Sequence, residues 1–255
     1  GIRRSSYDNK NANGETFVAT EDQDAIRLGV TYDIDGDGNR KIFASYGEYY
    51  LPIAANTNIR MAGGETYIHD FYETTADQHG SATPVFGTLV NSTVYGDGSV
   101  ADTRSTTDTS LEPMYQEEYI LGYAQTLESG MLEGFDLGIT YTSRELASTI
   151  EDVAIDAAVL AYCTANGIAG CEDDWTGFHQ YVLTNPGTDM NVYLPELSKY
   201  VTLSAADLNY PEVSRKYKAI VIALDRPFDG DWGLNASYTW SSTKGNYEGT
   251  VKSDN

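Results

Sequence analysis

Lysine and arginine are scarce in this sequence, 16 residues in 255 against 38 aspartates and glutamates, and there are only two cysteines and three histidines. Each shortage removes a class of protein. A formal net charge of −22 repels a phosphate backbone and no basic patch interrupts it, so nucleic acid is excluded as a partner. No run of about 18 apolar residues occurs, which excludes a helical membrane span. It leaves a β-barrel open, because barrel strands are apolar on one side only. His69, His79 and His179 lack the close partner spacing of a zinc site, although His69 and His79 share one acidic connection. No GxSxG, HExxH or P-loop pattern is present, and Ser, Thr and Asp are too abundant between the apolar segments for a triad to be read. The expectation is a chain that is not an enzyme and that holds no cofactor.

What is present is a sequence for strands. Hydrophobic residues make up 41% of the chain, enough for a sizeable core, and Tyr occurs 20 times and Gly 24 times. Period-two segments recur between turn-forming clusters. From Trp232 to Ser241, the residues Trp232, Leu234, Ala236, Tyr238 and Trp240 share one side, opposite Gly233, Asn235, Ser237, Thr239 and Ser241. Phe135, Leu137, Ile139 and Tyr141 repeat the pattern, as do Ile26, Leu28, Val30, Tyr32 and Ile34. The partner segments are less regular, and those from Lys41 to Leu51 and from Lys216 to Leu224 carry apolar residues on both sides. Six principal strands are expected near Ala25 to Ile34, Lys41 to Ile53, Tyr115 to Leu127, Leu132 to Arg144, Ser214 to Asp225 and Trp232 to Thr243, with a short additional one near Thr16 to Thr20.

Connection lengths alternate. Asp35 to Asn39, Glu128 to Met131 and Arg226 to Asp231 are tight and rich in turn formers, whereas 54–111 and 146–213 are long. Short and long connections in strict alternation are the asymmetry of outer-membrane barrels, whose periplasmic turns are short and whose extracellular loops are long. The acidic residues lie in the connections and leave strand centres nearly uncharged, as a lipid-facing band requires. Trp232 and Trp240 would stand about 20 Å apart along a tilted strand, near the separation of two aromatic girdles. The alternative is a pair of core aromatics in a soluble sheet. The sequence therefore predicts an all-β fold: one partial antiparallel transmembrane β-barrel domain over 1–255, three hairpins with 54–111 and 146–213 as long external loops. Six strands cannot seal a barrel alone. With no leader-like segment at Gly1, the expectation is a mature, processed or incomplete chain.

Four stretches carry a resemblance. IRLGVTYDIDGDGNRKIFASYGEYYLPI, SLEPMYQEEYILGYAQTL, VLTNPGTDMNV and YPEVSRKYKAIVIALDRPFDGDWGLNASYTWSSTKGNYEG together resemble the barrel of TonB-dependent outer-membrane receptors, the large Oar-like subgroup above all. The resemblance implies a barrel of about 22 strands, closed by an N-terminal plug and importing a bound substrate when a periplasmic energy-coupling protein pulls on that plug. It also implies outer-membrane lipid and the remainder of the barrel and plug as partners. This sequence departs from the pattern in having no plug, no coupling box and no terminal aromatic strand.

Some residues invite a site reading. Asp33, Asp35 and Asp37 before Gly38 resemble the first half of a calcium loop, but the twelfth position is Ala44 where a bidentate Glu is needed, and an acidic hairpin turn is the simpler account. Glu172, Asp173 and Asp174 form an acidic loop tip able to meet an external divalent cation. The Ala-rich segment Asp152 to Ala165, followed by Gly167, predicts a short helix. Cys163 and Cys171 are the only cysteines and lie close in sequence, so in an oxidising compartment they are expected to form a disulfide.

The function expected on these grounds is energy-coupled import of an unidentified substrate at the outer membrane. Two other classes share much of the evidence: a surface or structural barrel presenting loops to a protein or matrix partner, and a secreted acidic β-sandwich that binds glycan or calcium.

Overall fold

Three tight turns set the register of the main sheet, and their acidic residues act as turn chemistry. In the first, Gly36 and Gly38 adopt φ of +80° and +84°, which only glycine enters freely, and the Asp33 carboxylate accepts the N–H groups of Gly36 (2.9 Å) and Gly38 (2.8 Å). Asp35 pairs with Arg40, and Asp37 accepts the backbone N–H of Asn39 at 2.9 Å. The third turn repeats the device, with Asp229 accepting from Asp231 (3.0 Å) and Trp232 (3.2 Å) beside Gly230 at φ +110°.

The computed structural model describes residues 1–74, 86–177 and 180–247. In chain order these form β1 (Ile2–Lys10), β2 (Thr16–Asp33), β3 (Arg40–Tyr50), α1 (Ala55–Ala62), β4 (Thr66–Tyr72), β5 (Leu89–Asp97), α2 (Thr103–Thr106), β6 (Tyr115–Leu127) and β7 (Phe135–Ser148). There follow β8 (Glu151–Ala154), α3 (Asp156–Asn166), α4 (Cys171–Asp174), β9 (Tyr181–Thr184), β10 (Met190–Leu194), β11 (Lys199–Leu203), α5 (Ala205–Leu208), β12 (Arg215–Arg226) and β13 (Leu234–Gly245). Seven strands make one antiparallel sheet in the order β1-β2-β3-β6-β7-β12-β13; β4-β5, β8-β9 and β10-β11 are separate two-stranded sheets.

Register sorts the two faces of the large sheet. The row Val30, Ala44, Leu121, Tyr141, Ile220 and Trp240 runs across six strands on one face, and the next row on that face is Tyr32, Ile42, Tyr123, Ile139, Ile222 and Tyr238. The intervening row, Thr31, Phe43, Gly122, Thr140, Val221 and Thr239, lies on the opposite face and is more polar and smaller. The apolar face is uncovered in this chain, with Val30 at 65% and Trp240 at 66% exposure, and an apolar patch of this extent marks an association surface.

The buried core lies elsewhere. Val153, Ile155, Val159, Trp175, Val182, Met190, Val192, Leu194 and Leu203 pack together within the connection between β7 and β12. A second cluster, Phe17, Val18, Met61, Ala62, Met114, Ile150 and Leu183, joins β2, α1 and that connection. Tyr50 pairs with Tyr115, and Tyr115 with Ser148, so both long connections leave the sheet from the same end. They will be called the head.

The structure corrects the expected fold class. The chain is a mixed structure with five helices among its described residues and open sheets, not an all-β transmembrane barrel. Two-residue alternation reports that a strand has unlike faces and is silent about closure, and apart from the helix expected near Asp152 to Ala165 the helices sit in connections too irregular in sequence to be assigned. Among the described residues β1 and β13 each lack a partner on one side, and an open edge carries unpaired backbone groups that lipid cannot satisfy. The outer-membrane location and the extracellular orientation of the loops fall with the barrel. Trp232 precedes β13 and lies under the Arg226 guanidinium, 4.0 Å from its ring centre. No helix among the described residues is long and apolar enough to cross a membrane.

Candidate functional site

The head is held by one helix, one disulfide and one buried carboxylate. α3 stops where Gly167 enters the left-handed region at φ +64°, and the N–H of Ile168 returns to the Cys163 carbonyl at 2.9 Å. That turn brings the chain back so that Cys163 and Cys171 form a disulfide with Cα atoms 6.6 Å apart, both buried against the head core. The pairing expected from sequence is present.

Asp108, nine-tenths or more buried, ties the two connections together. Its carboxylate accepts the Ser110 N–H (2.9 Å) and hydroxyl (2.7 Å), the Asn191 N–H (3.1 Å) and the Thr184 hydroxyl (2.7 Å). Four donors converge on one anion, which makes this a structural node. Nearby, Arg104 lies over the Tyr193 ring at 4.2 Å, and Tyr193 meets Tyr200 edge to face at 5.3 Å. Asp102 hydrogen-bonds the Arg104 guanidinium, which raises the arginine's pKa.

The most open part of the head is the β4-β5 ribbon. Tyr67, His69 and Phe71 alternate along β4, and Tyr95, Thr93 and Asn91 along β5 join them on the same face. The Tyr67 and Tyr95 ring centres are 5.2 Å apart, and His69 stands edge-on to both at 4.7 and 5.1 Å. Tyr67 is 52% and Tyr95 64% exposed. Six side chains thus make a face of rings, an amide and a hydroxyl with no carboxylate or ammonium among them; Glu65 and Glu73 follow in the same alternation beyond its ends. Asp70 falls on the reverse side, where it accepts the Ser92 hydroxyl at 2.6 Å. Aromatic rings with polar edges, held on a rigid ribbon, are suited to binding by stacking and hydrogen bonding.

The other residues singled out in the sequence are dispersed. Asp33, Asp35 and Asp37 occupy the first tight turn with the local partners given above. Glu172, Asp173 and Asp174 are exposed on α4, beside the disulfide. His69 sits in the ribbon; His79 and His179 lie outside the described residues. No cluster of three metal-ligating side chains is found among the described residues. Sequence reading missed the ribbon, although YIHDFY and VNSTVY both carry the period-two signal. It also missed Asp108, whose importance comes from partners remote in sequence.

No family model matches the chain. A curated relative, the TonB-dependent transporter Oar of Myxococcus xanthus, is 24% identical over 263 residues, covering 94% of this chain and 21% of the relative. The chain therefore spans about a fifth of the length of the curated relative it matches. The likeness is distant and partial, and it accompanies an open sheet with a helical head. Assignment to a receptor barrel is corrected accordingly. So are the import function and the partners that it brought: outer-membrane lipid, the remaining barrel and plug, and a periplasmic energy-coupling protein.

Proposed function

We propose that the chain is a non-catalytic recognition protein of an oxidising compartment outside the cytoplasm, in which the open sheet is the scaffold and the head is presented to a protein or matrix partner. The convergence of both long connections at one end of the sheet, locked by Asp108 and closed by the Cys163–Cys171 disulfide, carries this reading. Disulfides persist outside reducing compartments, and recognition residues concentrate on connections positioned by a rigid scaffold. A net charge of −22 makes a polyanionic partner unfavourable. The ring-bearing ribbon supplies contact area at small entropic cost, because tyrosine has few side-chain rotations to freeze.

Hydrogen exchange on the full chain, with its disulfide intact, tests the proposal in the presence of immobilised polysaccharides and matrix proteins. Slowed exchange within 54–111 or 146–213, with the retained ligand chemically unchanged, is the expected result. Slowed exchange confined to the three tight turns would overturn it, and so would conversion of the ligand.

A further inference from the structure

We infer that the Tyr67–Tyr95 face of the β4-β5 ribbon is a binding platform for a neutral glycan. The inference rests on the recognition reading above and names its ligand class. An isolated two-stranded ribbon is marginal in water, yet this one exposes Tyr67, Phe71 and Tyr95 together instead of turning them into the head core. Tyr67, His69 and Tyr95 make their ring contacts with one another along this face.

The chemistry of that face selects the occupant. The C–H face of a pyranose is apolar and carries slight positive charge, which suits the negative face of an aromatic ring. Sugar hydroxyls lie around the ring edge, where Asn91 offers an amide, Thr93 a hydroxyl and His69 an imidazole nitrogen. Charge then separates the candidates. In a chain with 38 acidic residues the six side chains of this face include none, Glu65 and Glu73 continuing the β4 alternation only beyond its two ends, so no carboxylate stands among the rings to pair with a cationic peptide. The surrounding negative field opposes an acidic polysaccharide. An uncharged polymer meets neither obstacle.

Affinity electrophoresis of the full chain in native gels tests this, with a soluble β-glucan, an α-glucan, a mannan and a galactan as neutral probes and alginate as the acidic control. Retardation by at least one neutral polymer is expected, and the Y67A/Y95A double substitution should weaken it about tenfold, through the loss of two ring contacts of about threefold each. Y67F/Y95F keeps both rings and should retain most of the binding. Should Y67A/Y95A disturb the ribbon, as read from near-ultraviolet circular dichroism, Asn91→Ala with Thr93→Val is the second variant and should weaken retardation several-fold. Retardation by no neutral polymer, retardation by alginate alone, or binding that survives both sets of substitutions would overturn the inference. If exchange protection maps to another part of the head while the neutral polymers fail, the recognition reading stands and only the glycan platform falls.

Discussion

The Thr184 hydroxyl donates to the Asp108 carboxylate at 2.7 Å, bridging 76 residues of sequence and joining the two long connections. The same carboxylate takes two backbone N–H groups, from Ser110 and Asn191. Asp108→Ala should therefore destabilise the protein by about 1–3 kcal/mol, chiefly because it leaves the buried Thr184 hydroxyl without its acceptor. Asp108→Asn keeps one acceptor oxygen and should cost less. Urea unfolding midpoints measure both, and equal midpoints for Asp108→Ala and the parent chain would show that the node is dispensable.

The disulfide closes a short loop around the end of α3. Cross-linking a loop of this size removes unfolded-state entropy worth about 2–3 kcal/mol. Cys163→Ser with Cys171→Ser should lower stability by about that amount and loosen exchange in α3 and α4 before the large sheet. Mass spectrometry without reduction gives a direct check, because two thiols free to alkylate would contradict the bond.

Strands were legible in the sequence where one face was consistently apolar. The Tyr115–Leu127 strand lies where it was expected, and the other five segments differ from β2, β3, β7, β12 and β13 chiefly at their ends, the extension of β2 back to Thr16 being the largest change. The helix of Asp156–Asn166 and its stop at Gly167 were legible from Ala-rich composition and a left-handed cap. Four kinds of feature were not. β1 has no clean alternation, and its pairing with β2 includes bulges. Whether the sheet closes depends on what flanks β1 and β13, which no local pattern encodes. Asp108 looks like any other acidic loop residue until Thr184 and Asn191 are brought to it. The ribbon was hidden for another reason: its alternation places aromatics outside, where hydrophobic patterning assumes burial.

Close approach at one glycine gives a packing test in the sheet. A Cβ built on Gly122 would lie 2.0 Å from Cζ of Phe43, its cross-strand partner, so the ring occupies the space a side chain would need. Gly122→Ala should destabilise the protein by about 1–3 kcal/mol through this overpacking. Adding Phe43→Ala removes the obstacle, so a double-mutant cycle should show the two changes costing less together than their sum. Strict additivity would mean that the ring turns aside freely.

The last turn before β13 offers a titration. The Arg226 guanidinium, donating to Asp229 at 2.8 Å, is the largest cause of a carboxyl pKa held well below the ordinary aspartate range, and the N–H groups of Asp231 and Trp232 add to it. A carboxylate depressed in this way contributes stability above its unfolded pKa, about 3.9. That contribution fades as pH falls through the depressed folded value. Acidification below about pH 4 should thus weaken the parent chain in part through Asp229, whereas Asp229→Asn should lose some stability at neutral pH and show a flatter acid limb. Because the pair is exposed, salt should shrink the difference between the two chains. Carbon-detected NMR of the Asp229 carboxyl group measures the underlying shift, and a midpoint in the ordinary aspartate range would remove the basis for the predicted difference.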